Sequence, residues 1–271
     1  MRCITVVCMM AFCGISGVAA DEKSDLKAGD TKTVDVGGDT KMAFVWCPPG
    51  EFLMGISDSE TPRGASETPQ HTVTFKQGFW IGKCEVTQDQ WKSVTGENPS
   101  HFKGSPNLPV EQVSWDDCQQ FLRKLNTKSG GTFRLPCEAE WEYACRAGTR
   151  TPFAFGESIS TEQVNYKAPF NKGVARERTT EVGLFPGNAW NLCDMHGNVH
   201  EWCQDWYHDS YTDSPADGSA WESPANTDRV LRGGSWSSSQ LSCRSAARGH
   251  YTPDSRLITI GFRIVCGSLP R

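Results

Sequence analysis

Three short glycine-bearing motifs in the last third of the chain most constrain its fold. They are Asp194-Met-His-Gly-Asn-Val-His-Glu-Trp202, Arg232-Gly-Gly-Ser-Trp236 and Gly261-Phe262-Arg263. Helical periodicity fades after Gly148, so we expect short strands, turns and long loops from there to the end. With 26 Gly and 10 Trp, the chain is predicted to be rich in loops and packed around aromatic side chains rather than helical throughout.

Residues 1–20 have the pattern of a secretory signal peptide. Arg2 precedes an uncharged apolar run over residues 3–18, and small residues up to Ala20 stand before an acidic pair. A membrane anchor is the alternative, but the run is shorter than the ~20 residues that span a bilayer. We therefore predict cleavage after Ala20, an exported (periplasmic or secreted) protein and no transmembrane anchor.

The remaining chain, about 250 residues, is long enough to bury a sizeable core as one domain. Residues 21–40 are polar, charged and glycine-bearing, which predicts a flexible leader before a domain over residues 41–268. The formal net charge is −5, and loss of Arg2 with the signal peptide makes it about −6. Because there is also no basic run, nucleic acid is not an expected partner.

The cysteine content allows disulfides, but the spacing of the cysteines matches no familiar redox or zinc motif. Three of the twelve cysteines lie in the signal peptide, and the others are Cys47, Cys84, Cys118, Cys137, Cys145, Cys193, Cys203, Cys243 and Cys266. An oxidising export compartment permits disulfides, and an odd number leaves at least one thiol over. The absence of Cys-x-x-Cys argues against a zinc ribbon or a thioredoxin-type site.

The first half of the domain carries start signals for regular elements. Thr87 and Ser114 are predicted to cap two helices, and Pro136 lies near the first turn of a third that runs to about Arg146. Strands are predicted near residues 42–46, 52–55 and 71–75 from their apolar runs and alternation.

Further motifs precede the three motifs of the last third along the chain. They are Pro49-Gly-Glu-Phe-Leu-Met-Gly55, Ile81-Gly82-Lys83 with Glu85-Val86-Thr87, Pro109-Val110-Glu111-Gln-Val-Ser-Trp115, and Arg134-Leu-Pro136 with Glu138-Ala-Glu-Trp-Glu-Tyr143. From about Phe44 to Cys266, the set resembles the sulfatase-modifying factor family, whose founding members, the formylglycine-generating enzymes, oxidise a sulfatase cysteine to formylglycine. The resemblance implies a compact α+β domain with low regular secondary structure and a C-type-lectin-like fold.

The segment from Leu192 to Trp202 is similar to the family's calcium loop. The resemblance implies carboxylate ligands from Asp194 and Glu201 and carbonyl ligands from Gly197 and Val199. The chemistry agrees, since calcium takes six to eight oxygens that a glycine-bearing turn can bring together. The alternative is a capping Asp and a surface Glu. A second family calcium site would begin at Asn165-Tyr166, but residues 174–176 lack its later acidic ligand.

His196 and His200 stand four residues apart, which raises the hypothesis of a transition-metal site. Two imidazoles at this spacing bind one ion only on a helix, and a loop is expected here. The family usually has Trp at the position of His200. We therefore favour a packed or hydrogen-bonded histidine.

The family's oxidases have two cysteines, five residues apart, after the Gly-Gly-Ser-aromatic motif, and these bind copper(I). In this chain Ser237, Ser238, Ser239 and Gln240 occupy that segment, which is about three residues shorter. Hydroxyl and amide oxygens are hard ligands that suit copper(I) poorly, so copper is not an expected cofactor.

Cys243 is the only thiol near this segment and is the one catalytic candidate. A buried thiol, or a disulfide to Cys203, is the favoured alternative. Ser235, Trp236 and Arg248 are predicted to contact a ligand, although Arg248 equally fits a bracing role. The resemblance also implies a disulfide between Cys145 and Cys266, because the family's secreted enzymes join these regions.

We therefore predict an exported, divergent member of the family that is not an oxidase. It would bind a peptide, protein, glycan or other ligand in the family groove and would be stabilised by calcium. The rival hypothesis is a formylglycine-generating oxidoreductase that depends on copper and oxygen. Related domains in ergothioneine biosynthesis carry an iron-binding helical domain that this chain lacks.

Overall fold

The computed structural model describes residues 25–36, 40–61, 64–169 and 171–266. The predicted signal peptide lies outside these residues. The strands are β1 (Thr31–Asp35), β2 (Lys41–Cys47), β3 (Gly50–Met54), β4 (His71–Phe75), β5 (Phe79–Gly82), β6 (Phe133–Arg134), β7 (His200–Trp206), β8 (Arg229–Arg232), β9 (Gly249–Tyr251), β10 (Ile260–Gly261) and β11 (Val265–Cys266). The α-helices are α1 (Gln88–Thr95), α2 (Trp115–Ser129) and α3 (Glu138–Arg146).

Three sheets organise the domain. A five-stranded antiparallel sheet has the order β1-β2-β5-β11-β6, and a four-stranded sheet has the order β10-β7-β8-β9. Within the second sheet β10 runs parallel to β7, and the other pairs are antiparallel. Strands β3 and β4 form a hairpin-like pair. The predicted α+β class with little regular structure is confirmed.

Strand β2 separates two layers of the core. Its alternate residues Phe44 and Trp46 pack in the cluster that contains α1 and α2 side chains, whereas Val45 and Cys47 pack with residues of α3. Successive side chains of a strand point to opposite faces, so a central strand with both faces covered must be apolar throughout. This explains the continuous apolar run that ends at Cys47.

The helices begin where their capping residues predict. The Thr87 side chain accepts from Gln90 N at 3.2 Å, and Gln90 Oε1 accepts from Thr87 N at 2.9 Å. Ser114 and Asp117 make the same reciprocal pair before α2. Each capping box satisfies two backbone donors that a helix start leaves open. The third helix begins at Glu138, two residues after Pro136.

The ordered domain begins earlier than predicted. Residues Thr31–Asp35 form β1 and pair along their whole length with β2. Only Val34 of these five residues is buried, so the strand lacks the alternating apolar pattern that would have revealed it. The prediction of a flexible leader over residues 21–40 is therefore wrong for this strand.

No helix in the described ranges has the length and apolar character needed to cross a membrane.

Candidate functional site

The three motifs of the last third meet on the four-stranded sheet. Glu201 of β7 lies opposite Arg232 of β8 on one side and Gly261 of β10 on the other. The loop before β7 and the turn after β8 therefore lie at the same end of the sheet. We call this end, residues 193–199 and 233–243 with the strand ends that carry them, the motif site.

Backbone hydrogen bonds join the loop to the turn. Gly197 N donates to Gly233 O at 2.7 Å, and Trp236 N donates to Asn198 O at 2.9 Å. Gly197 has φ of 106°, and a Cβ there would lie 2.3 Å from Asn165 O. No other residue fits at that position, because both the conformation and the space exclude a side chain.

Glu201 is wholly buried and is held by two side chains. Its Oε2 accepts from Arg263 Nε at 2.6 Å and from Trp141 Nε1 at 2.7 Å, and its Oε1 accepts from Arg263 Nη2 at 2.7 Å. The remaining Arg263 donors reach the carbonyl oxygens of Gly82 and Cys193. The alternative of a surface glutamate is therefore wrong. Arg263 of the Gly261-Phe262-Arg263 motif is thus the counter-ion of Glu201.

Asp194 and Glu85 lie beside this ion pair and form with Glu201 what we call the acid cluster. Burial raises the pKa of Asp194 to about 6, although its Oδ2 accepts from Gly183 N at 2.6 Å. Burial, with the neighbouring charges of Asp194 and Glu201, also raises the pKa of Glu85 well above its usual range. Three carboxyl groups thus face one guanidinium, that of Arg263. The cluster is short of positive charge.

Two carboxylate oxygens of the acid cluster have lone pairs left to bind a cation. Glu85 Oε2 is buried and has no hydrogen-bond partner, and Glu201 Oε1 has a single donor. Among the described residues, however, no three His, Cys, Asp or Glu side chains are grouped as a metal site. A calcium ion would need carbonyl oxygens as well, as predicted for Gly197 and Val199. Calcium at this place stays a prediction.

His196 is a buried histidine with both ring nitrogens in use. Nε2 accepts from Ala154 N at 3.1 Å, so Nδ1 carries the proton and donates to Cys243 O at 2.8 Å. Burial lowers the pKa of His196 to about 4 and keeps the ring neutral. It has no lone pair left for a metal, which agrees with the favoured structural role.

His200 takes part in a hydrogen-bond chain with two serines that the sequence did not reveal. Ser238 Oγ lies 3.2 Å from His200 Nε2 and 3.1 Å from Ser235 Oγ, and it accepts from Ser235 N at 3.0 Å. Burial lowers the pKa of His200 to about 4, and its Nδ1 is buried without a partner. The chain presents hydroxyl groups and a neutral imidazole, which can hydrogen-bond a polar ligand.

Cys243 lies beneath the Gly-Gly turn. A Cβ on Gly234, whose φ is 73°, would lie 2.6 Å from Cys243 Sγ. The thiol packs with Phe153 and Tyr166, and burial raises its pKa to about 12. A buried, protonated thiol is a poor nucleophile and a poor metal ligand. Cys203 belongs to a different cluster, the one that contains α3, so the two thiols do not form a pair.

The predicted disulfide between Cys145 and Cys266 is absent from the structure. Cys145 is a free thiol whose Sγ lies 3.6 Å from Ser245 Oγ and 3.7 Å from His196 Nε2. Cys266 is on β11 and packs in the other core cluster, with α1 and α2. Val265, the neighbour of Cys266, packs in the cluster of Cys145. Successive side chains of a strand point to opposite faces, so Cys266 faces away from Cys145 and the pairing fails.

Two surface cavities border the motif site. The first, about 410 Å³, is lined by His200, both glycines of the turn and residues 241–249 in part. The second, about 740 Å³, is lined by Trp236, Ser237, Lys167 and Glu177 among others. Trp236 is half-buried, and its Nε1 donates to Ile258 O at 3.2 Å.

Ser235 and Arg248 are placed differently from Trp236. Ser235 is buried and contacts Ser238 rather than open space. Arg248 lines the first cavity, but its guanidinium binds Glu138 through Nε at 2.6 Å and Nη2 at 2.8 Å, and also the carbonyls of Ser66 and His208. Its donors brace the fold. A ligand would therefore meet Arg248 mainly as a wall of the cavity.

Comparison with known proteins agrees with this geometry. Residues 30–267 match the family described as "Sulfatase-modifying factor enzyme 1-like domain". The structure of PvdO from Pseudomonas aeruginosa superposes with a TM-score of 0.76 at 30% identity, over 89% of this chain and 99% of that one. The predicted family and fold are confirmed.

Two of the relatives that this chain matches have different names. The "Chaperone protein LppX" of Paenibacillus barcinonensis is 30% identical over 74% of this chain and 86% of its own length. The formylglycine-generating enzyme of Bos taurus is 34% identical over 66% of this chain. The match spans 51% of that enzyme, about half its length. Similarity alone therefore does not assign an activity.

Proposed function

The chain belongs to the sulfatase-modifying factor family, and from this premise we propose that it is an exported member that does not oxidise cysteine. Its role would be to bind a ligand at the motif site. The observation that carries the proposal is the turn after β8, where serines replace the soft ligands that copper(I) prefers. The only thiol in the turn, that of Cys243, is buried beneath Gly234.

The second cavity suits an extended polar ligand such as a peptide or a glycan. Trp236 offers an aromatic wall, and Lys167 and Glu177 place charges of both signs around it. Pockets of this size usually combine an apolar wall with a few convergent polar groups. Ser237 adds an exposed hydroxyl at the point where the family's oxidases carry thiol chemistry.

Calcium is proposed as a stabilising ion rather than a reactant. The acid cluster carries three carboxyl groups against one arginine, and Glu85 Oε2 has no partner. A divalent cation near Asp194 would balance this charge and fix the loop before β7. Because that loop is hydrogen-bonded to the Gly-Gly turn, a fixed loop also fixes the floor of the ligand site.

A binding screen with matched variants tests the proposal. The purified chain, with calcium present, is presented to peptide and glycan arrays, and hits are measured by calorimetry. Trp236→Ala should weaken a specific hit by roughly tenfold or more, as for an aromatic anchor. Trp221→Ala, which lines neither cavity, should leave the affinity unchanged. An absence of hits, or equal effects of both variants, would contradict ligand binding at this place.

A further inference from the structure

Two cysteines that the proposed function does not use lie side by side near the acid cluster. Cys84 lies between β5 and α1, and Cys193 begins the loop that leads to β7. The thiol of Cys84 makes a hydrogen bond with the thiol of Cys193. Both are reduced in the structure.

The two backbones are held close together at this point. Cys193 N donates to the carbonyl oxygen of Lys83, the residue before Cys84, at 2.9 Å. Arg263 bridges the same segments, since it donates to Lys83 O at 3.3 Å and to Cys193 O at 2.9 Å. A disulfide requires Cα atoms about 4.4–6.8 Å apart, and these contacts bring the two segments together at the point where such a bond would form.

A third segment covers the sulfur atoms on one side. A Cβ built on Gly183 would lie 3.5 Å from Cys84 Sγ and 4.0 Å from Cys193 Sγ. The glycine therefore leaves space beside the sulfur pair that a side chain would fill. Cys84 is half-buried and lines a surface cavity of about 310 Å³, whereas Cys193 is buried. The cavity therefore gives a small oxidant access to the pair at Cys84.

We propose that Cys84 and Cys193 are a redox modification site, at which thiol–disulfide exchange forms a disulfide between the two segments. The oxidant is a disulfide, either a small molecule such as oxidised glutathione or a protein carrier. This inference does not depend on ligand binding or on calcium. It rests on the contact between the two thiols.

The exchange takes place in two balanced steps. The thiolate of one of the two cysteines attacks one sulfur of the oxidant, forms a mixed disulfide and releases the other sulfur as a thiolate. The thiolate of the second cysteine then attacks the protein sulfur of the mixed disulfide, forms the internal disulfide and releases the remaining sulfur of the oxidant as a thiolate. The protein loses two electrons and two protons, and the oxidant gains both.

The disulfide would connect distant parts of the sequence. It would close a loop of roughly 110 residues, and long loops are where a crosslink restricts the unfolded chain most. It would also anchor the residues next to it, Glu85 and Asp194, in the acid cluster. We expect the melting temperature to rise on the order of 5–10 °C on oxidation.

The test uses the folded full-length chain and oxidised glutathione. Intact mass should fall by about 2 Da, one disulfide, and peptide mapping should find Cys84 joined to Cys193. In Cys193→Ser and in Cys84→Ser the internal disulfide cannot form, so the exchange should stop at the first step, and one glutathione should stay attached to the remaining cysteine in at least one of the two variants. The control is Cys118→Ala, in the core of α2, which should oxidise like the wild type.

Three outcomes would overturn the proposal. The first is that both thiols stay open to alkylation in the oxidised, folded protein. The second is a disulfide that joins other cysteines. The third is that neither Cys193→Ser nor Cys84→Ser retains a glutathione on its remaining cysteine. If the serine variants misfold, alkylation of the native wild-type protein still decides between the first outcome and the expected one.

Discussion

Glu201 and Arg263 form an ion pair with no access to solvent, at the point where the loop before β7 meets the end of the chain's last motif. The pair connects the acid cluster to the five-stranded sheet, because Arg263 also binds the carbonyl oxygen of Gly82 at the end of β5. The first prediction follows from its burial.

Removal of one charge from this pair should be strongly destabilising. Glu201→Gln would leave the buried Arg263 charge without its partner, which costs about 3–5 kcal/mol in comparable cases. Denaturant unfolding measures the change. The control is Arg256→Gln, which breaks the exposed pair with Asp117 and should cost less than about 1 kcal/mol. Equal effects of the two variants would contradict the role assigned to the buried pair.

The second prediction separates calcium binding from ion pairing. Because Glu201 also supports Arg263, its removal should destabilise the protein even in chelator. Asp194→Asn is the cleaner variant. It should abolish the rise in melting temperature that calcium gives the wild type, since an ion that binds only the folded state stabilises it by mass action. In chelator the same variant should have little effect, because Asp194 with a pKa near 6 is expensive to ionise.

If calcium does not raise the melting temperature of the wild-type protein, the proposal that calcium stabilises the fold is wrong. A calcium-dependent rise in melting temperature that persists in Asp194→Asn would show that calcium binds at another place.

The third prediction concerns acid. Burial lowers the pKa of His196 and His200 to about 4 in the folded protein, against an ordinary value of about 6.5. Between these values the unfolded chain binds protons that the folded chain does not, so stability should fall as the pH drops from about 6.5 to about 4. His200→Gln should make this fall shallower in chelator. The exposed His101, changed to Gln, serves as the control. An unchanged pH profile in His200→Gln would show that the ring titrates normally.

Sequence predicts this fold best where local chemistry is explicit. Thr87 and Ser114 predict the starts of α1 and α2, because a capping box is a pattern of neighbouring residues. The motifs likewise identify the family before any geometry is known. Strand β1 is not predicted from the sequence, because an edge strand with one buried residue, Val34, has no apolar alternation.

The site is harder to foresee because its contacts are long-range. Glu85 joins Asp194 across more than a hundred residues, and Cys84 joins Cys193 in the same way. The hydrogen bond between Ser238 and His200 depends on the register of β7 and β8. No spacing rule contains such information. The predicted partners Cys145 and Cys266 fail for the same reason, since only packing shows that they belong to different clusters.

The measurement that tests the central claim most directly is an assay for cysteine oxidation. The purified protein is incubated with a sulfatase-type Cys-x-Pro-x-Arg peptide, copper and oxygen, and the products are analysed by mass spectrometry. We expect the peptide to show no aldehyde, because Ser237 and Ser238 offer no soft ligands and Cys243 is buried and protonated. A copper-dependent aldehyde that is lost in Cys243→Ser would contradict this account and establish the oxidoreductase instead.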